Sequence, residues 1–137
     1  MISVSDRSRV AVASLVELAS RGSTGPVPIL EVAERRGIPA HQVEQVFAVL
    51  RRAGLLESQR GVKGGYTLRR DPGDITVLEI IEAVDGPVGG DGLLPDSAIG
   101  EIWSDGARRL ADAFGEVTVA EVAVREAQRA QAPMFHI

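Results

Sequence analysis

Apolar residues recur at helical spacing along most of the chain, and the pattern gives way once, near its middle, to short extended runs broken by glycine. Val10, Val12, Ala13, Leu15, Val16, Leu18 and Ala19 form a stripe that predicts a first helix, capped by Ser5 or Asp6 and ending at Arg21-Gly22. Residues 22–26, GSTGP, read as a loop by composition. Pro28 stands where a first-turn proline is tolerated, and Ile29, Leu30, Val32 and Ala33 predict a short second helix ending near Arg36-Gly37. Gly37-Ile38-Pro39 is a turn. A third helix spans about 40–53, with Val43, Val46, Phe47 and Leu50 at i, i+3, i+4 and i+7 on a buried face. Its other face carries His41, Gln42, Glu44, Gln45, Arg51 and Arg52, and Gly54 ends it.

Residues 55–68, LLESQRGVKGGYTL, predict strand, turn and strand, divided as 55–58, 59–65 and 66–68. Gly61, Gly64 and Gly65 suit a tight tip, on which Arg60 and Lys63 must face solvent or a partner. Two short helices joined by a glycine-containing turn and followed by a basic hairpin make a winged helix-turn-helix, whose second helix enters the major groove of DNA. His41, Gln42, Glu44 and Gln45 offer the donors and acceptors that read base edges.

Beyond the hairpin, 69–74 is a loop bearing Arg69 and Arg70. Thr76 and Glu79 have capping-box spacing and open a helix over 77–84, with Ile80, Ile81 and Val84 packed on the preceding domain. Asp85-Gly86-Pro87 stops it, and 88–95, VGGDGLLP, is a flexible loop. A long helix from about Asp96 places Ile99, Ile102, Trp103, Ala107, Leu110, Ala111 and Phe114 on one side. Gly100 and Gly106 weaken it by roughly 1 kcal/mol each relative to alanine. A break at 115–117 precedes a second capping box, Thr118 to Glu121, and a terminal helix with Val119, Val122, Ala123 and Val124. Trp103 and Phe114 have too few partners within one small subunit, so a symmetric pair of long helices is expected to cover them. The fold class is mainly α with a small β-hairpin. A winged helix-turn-helix domain (1–87) leads through a flexible loop (88–97) to dimerisation helices (98–131) and a tail (132–137), either free or docked by Phe135.

Composition narrows the chemistry. The 137 residues are 45% hydrophobic and 25% charged, as in ordinary globular chains. No apolar run approaches the roughly 20 residues of a membrane span, and the first residues lack the pattern of a signal peptide, so a cytoplasmic protein is expected. There is no cysteine, which excludes disulfides, thiolate nucleophiles and cysteine-ligated clusters; His41 and His136 are the only histidines. The net charge of −4 conceals an uneven distribution. Residues 1–72 hold 11 Lys/Arg against 7 Asp/Glu, and residues 73–137 hold 4 against 12. That is the signature of a basic binding module joined to an acidic remainder.

The segment Ala53-Gly54-Leu55-Leu56, Ser58, residues 60–68, Pro72, Ile75-Thr76, Ile80-Ile81 and residues 83–87 resembles the Rrf2 family of bacterial winged-helix transcription regulators. The resemblance extends over most of the chain, from Ser5 to about Ala127, and includes Gly37-Ile38-Pro39 and residues 43–46. It implies a homodimer on palindromic operator DNA, with base readout by His41, Gln42, Glu44 and Gln45 and a wing arginine, Arg60, probing the minor groove. The candidate backbone contacts are Arg7, Arg9, Arg51, Arg52, Lys63, Gly64, Tyr66 and Arg69, with Arg70 an alternative to its neighbour. The candidate dimer contacts are Ile99, Ile102, Trp103, Leu110 and Phe114. Two positions depart from the pattern. Val10 stands where members often have tyrosine. Many members also bind an iron–sulphur cluster through three cysteines in the loop before the long helix, whereas 88–100 here has none and offers only the oxygen donors Asp91, Asp96, Ser97 and Glu101.

The expected function is therefore a sequence-specific DNA-binding regulator, a repressor, without a cysteine-ligated cluster or any other cofactor. A second reading concerns the input alone: a partner protein or small-molecule effector, with 88–100 and the acidic half as the surface. A third, a phosphate-binding enzyme using residues 61–65, conflicts with the glycines joining two strands and with Tyr66 where Lys and Ser/Thr would follow.

Overall fold

The computed structural model describes residues 4–22, 25–89 and 96–131. Ser5 starts the first helix, α1 (Asp6–Ser20), by accepting a hydrogen bond from the Ser8 amide at 3.1 Å. The face with Ala11, Ser14, Leu15 and Leu18 is buried, and α1 becomes the central rod against which α2 (Ile29–Arg36), α3 (Ala40–Arg52), α4 (Val77–Asp85) and α6 (Val119–Gln131) pack. Phe47, Leu15, Leu50, Leu55, Ile75 and Ile80 form the centre of the core, each fully buried. Burial of such side chains stabilises by about 1.5–3 kcal/mol apiece.

The recognition segment is held between two helix ends of the same design. Gly37 (φ 64°) closes α2, with the Ile38 amide donating to Ala33 O at 3.0 Å. Gly54 (φ 81°) closes α3, with the Leu55 amide donating to Leu50 O at 3.0 Å. In each case glycine takes the left-handed conformation that lets the next residue turn back onto the helix. Leu55 thereby drops into the core beside Leu50, both almost wholly buried, which fixes where the wing leaves α3.

The wing strands are β1 (Leu56–Gln59) and β2 (Gly65–Leu68), antiparallel from Leu56↔Leu68 to Gln59↔Gly65. Residues 60–64 form the tip, five residues where seven were expected; β1 starts and finishes one residue later than expected, and β2 starts one residue earlier. Val27 adds a one-residue third strand, exchanging both backbone hydrogen bonds with Tyr66 at 2.9 Å. The Tyr66 ring meets Phe47 edge-on at 4.9 Å.

Thr76 and Thr118 both cap their helices, accepting from the amides of Glu79 and Glu121 at 3.1 Å. The reciprocal half of each capping box is not the use made of the glutamates, because Glu79 pairs with Arg70 and Glu121 with Arg125. The two threonines also face each other in an isolated antiparallel bridge, with Val77 N donating to Val117 O at 2.8 Å and Val119 N to Ile75 O at 2.9 Å. The start of α6 is thus fastened to the start of α4, and Val119 is completely buried. The terminal helix packs on α1.

The long helix, α5 (Ala98–Gly115), begins at a Ser97 cap rather than at Asp96 and runs unbroken through Gly100 and Gly106. Its principal neighbour is α4. Ile99, Ile102 and Trp103 are 50%, 63% and 58% exposed, so the subunit does not cover this part of the stripe. Leu110 and Phe114, further along it, are already half-buried. The expected loop over 88–95 falls largely, and the 132–137 tail wholly, outside the described residues.

Candidate nucleic-acid interface

His41, Gln42, Glu44 and Gln45 are all exposed on the outer face of α3, set there because Val43, Val46 and Phe47 point into the core. His41, Gln42 and Gln45 share a groove of about 480 Å³ with Asp6, Arg7, Arg9 and Val10 of α1. Val10 thus lines the groove. Glu44 stands outside that lining. Arg51 and Arg52 lie on the last turn of α3, and Arg60 and Lys63 are exposed on the wing tip.

Ion pairing separates the cations into two groups. Among the described residues, Arg7, Arg9, Arg51, Arg52, Arg60, Lys63 and Arg129 have no carboxylate within 4 Å. The other eight arginines each have one. Apart from Arg129 at the end of α6, the free cations lie at the start of α1, on α3 and on the wing tip. A phosphate approaching them displaces no carboxylate.

Four of the expected contacts are qualified by their surroundings. Arg70 is bound to the Glu79 carboxylate and to Asp74 O, with Glu79 raising its pKa above the usual arginine value against a smaller opposing effect of desolvation. Arg69 lies loosely against Glu57 at 3.8 Å and remains exposed. The Gly64 amide is spent within the wing on Gly61 O at 3.0 Å. Tyr66 commits its ring to Phe47 and is half-buried.

The sequence left one organising residue unseen. Asp85, the last residue of α4, accepts from Ser5 Oγ at 2.6 Å, Ser5 N at 3.2 Å and Ser8 Oγ at 2.7 Å, pinning the start of α1 beside Arg7 and Arg9. Desolvation alone would raise its pKa. The serine hydrogen bonds and the Arg7 charge outweigh it and hold the carboxyl below its ordinary value. The ionised form is therefore favoured by folding, and its contribution is present above the unfolded pKa and lost as pH falls through the folded one. Asp85→Asn is expected to cost about 1 kcal/mol at neutral pH, below the usual range for charged hydrogen bonds because the site is exposed. Urea unfolding across an acid pH series should show the difference from wild type closing as pH drops below the usual aspartate range. A pH-independent difference would mean that the charge contributes nothing.

A second network joins α1, α2 and α6. Arg36 donates to Glu17 at 2.9 Å and forks onto both Glu126 oxygens at 2.8 and 2.9 Å. The Arg36 hydrogen bond lowers the Glu126 pKa, and the bond to Glu126, helped by Glu17, raises that of Arg36 against desolvation, which lowers it.

The fold has known counterparts. The model of the Rrf2 family, described as an iron-dependent transcriptional regulator, matches residues 4–125. The chain belongs to the Rrf2 family. It is 36% identical over 131 residues to the HTH-type transcriptional regulator IscR of Klebsiella pneumoniae subsp. pneumoniae, a match covering 87% of this chain and 78% of that protein. Among solved structures, CymR (YrzC), the global cysteine regulator of B. subtilis, superposes with a TM-score of 0.83 at 30% identity, covering 91% of this chain and 98% of that one. T. potens IscR gives 0.80 at 33% identity, covering 96% and 93%. This Rrf2 protein is accordingly a transcriptional regulator with a winged-helix fold, not an enzyme. No helix among the described residues is long and apolar enough to cross a membrane.

The donor set does not fit an iron–sulphur cluster. Such clusters are held by thiolates, with imidazole in part of one class; the chain has no cysteine, and His41 lies out on α3. Among the described residues no group of three or more His, Asp and Glu is placed to hold a metal ion.

Proposed function

We propose that this protein is a homodimeric repressor that binds a palindromic operator in the bacterial cytoplasm. What carries the reading is the segregation of ion pairs: the cations without carboxylate partners gather where a winged helix meets DNA, while those elsewhere, save Arg129, are neutralised. In this arrangement α3 enters the major groove, where His41, Gln42 and Gln45 face base edges and Glu44 can accept from a cytosine amino group. Arg7, Arg9, Arg51, Arg52 and Lys63 meet phosphates, with Arg69 available once it leaves Glu57. Gly64 and Tyr66 serve the interface by shaping the wing. Arg60 probes the minor groove.

Residues 1–87 act as the DNA-binding unit and 98–115 as the dimerisation arm, with Ile99, Ile102 and Trp103 at the two-fold contact and Leu110 and Phe114 at its margin. Two-fold symmetry sets two recognition helices on half-sites one DNA turn apart. Selection of bound fragments from random DNA at stated salt tests this directly. A palindrome should be enriched, and recovery without sequence preference would overturn the operator reading.

Arg60→Ala should weaken operator binding by about 1–3 kcal/mol, the scale of a good base contact. Its effect should fall most on the base pairs beneath the wing. Arg51→Ala should instead weaken all sequences alike and flatten the salt dependence by roughly one unit of slope. Equal behaviour of the two variants in salt-series mobility-shift titrations would remove the distinction between reading and positioning.

A further inference from the structure

The side of α1 turned toward α4 and α6 holds a second concavity of about 410 Å³, walled by Val12, Val16, Ile81, Phe114 and Val122. Three charged residues border it: Arg9, Arg36 and Glu126. Arg36 and Glu126 are paired with each other, and Arg36 also with Glu17. Arg9 is the one bordering charge without an ion pair, and it is also a wall of the α1–α3 groove that faces DNA. An apolar hollow of this size with a single convergent charged group has the make-up of a small-molecule site.

We propose that this concavity binds a small apolar carboxylate, with Arg9 as its counter-charge, and that occupancy withdraws Arg9 from the DNA groove and weakens operator binding. The regulatory half rests on the DNA-binding reading above. Charge complementarity selects the ligand class. A neutral apolar molecule leaves Arg9 unpaired, and a cation meets a guanidinium. The single Arg36 charge is shared between Glu126 and Glu17, so the Glu126 end of the hollow disfavours an anion and the ligand carboxylate belongs at the Arg9 end. Because one side chain serves both concavities, the coupling is reciprocal: the factor by which the carboxylate weakens DNA binding is the factor by which DNA weakens the carboxylate.

Octanoate, with 1-octanol as its uncharged counterpart, provides the test. Calorimetry without DNA is expected to show one saturable octanoate site per protomer, at least tenfold preferred over octanol, with the preference abolished in Arg9→Gln. Saturating octanoate is expected to raise the operator Kd at least fivefold. That ratio should fall below twofold in Val122→Phe, which fills the hollow from α6, and in Ala13→Leu, which fills it from α1. Equal affinity for octanol, a preference that survives Arg9→Gln, or unsaturable uptake would each overturn the site. Octanoate binding that weakens as protein concentration rises through the dimerisation range would overturn it too, by giving the hollow to a second copy of the chain. Arg9-dependent octanoate binding by a protein that binds no operator would refute the DNA reading and the exchange of Arg9. Its absence from a protein that does bind its operator would refute this site alone.

Discussion

Ile102→Glu is expected to yield a folded monomer whose operator affinity is lower by a factor of about 10²–10⁴, the span by which linking two binding modules exceeds one. Ile102 is 63% exposed in the subunit, so a carboxylate there costs the protomer little. In a two-fold contact the substitution meets its own copy, and two carboxylates face an apolar patch made by Ile99 and Trp103. Neither loses its hydration without cost. Each DNA half-site then binds its winged domain without help from the other. Sedimentation velocity beside mobility-shift titration checks both parts. A variant that stays dimeric, or a monomer with undiminished affinity, would sink the assignment of α5.

The second large effect is on the fold. A Cβ on Gly65 would collide with the carbonyl carbon and oxygen of Val27 and lie 2.8 Å from the Pro28 nitrogen. All three are backbone atoms, so no rotamer change relieves the clash. The Val27–Tyr66 bridge must open, releasing two backbone hydrogen bonds and disturbing the seat of Tyr66 on Phe47. Gly65→Ala is expected to destabilise by about 3 kcal/mol, the upper range for over-packing. Urea unfolding followed by circular dichroism measures this. A loss below about 0.5 kcal/mol, the level of an ordinary surface change, would show that the bridge yields freely.

What could be read from the sequence divides by distance along the chain. The helices of the winged unit were legible because Val43, Val46, Phe47 and Leu50, or Leu15, Val16 and Leu18, repeat at helical spacing, and because Gly37 and Gly54 punctuate them. The outward set on α3 followed from the same periodicity. Contacts between remote segments leave no local mark. Asp85 lies 80 residues from Ser5, and Arg36 lies 90 from Glu126. Nothing near Val27 announces a strand, since its strand partner is the remote Tyr66. The division of the arginines into paired and free was equally hidden, because it depends on which carboxylates folding brings near. The two capping boxes show the converse: Thr76 and Thr118 acted as their spacing foretold, while Glu79 and Glu121 were drawn to arginines instead.

The Thr76–Thr118 bridge has a consequence for how such a protein can change. Backbone hydrogen bonds hold the starts of α4 and α6 side by side, and Ile80 keeps α4 itself in the core. The chain between the end of α4 and the start of α6 is an excursion from that anchored pair. Lengthening the chain between α4 and α5 therefore leaves the anchorage in place, since doubling a flexible connection costs only about 0.6 kcal/mol in closure entropy. New sensory chemistry can be spliced into the excursion, or removed from it, while the wing and α3 keep their register. The arm is the replaceable part of the molecule, and the paired threonines are the fitting that makes it so.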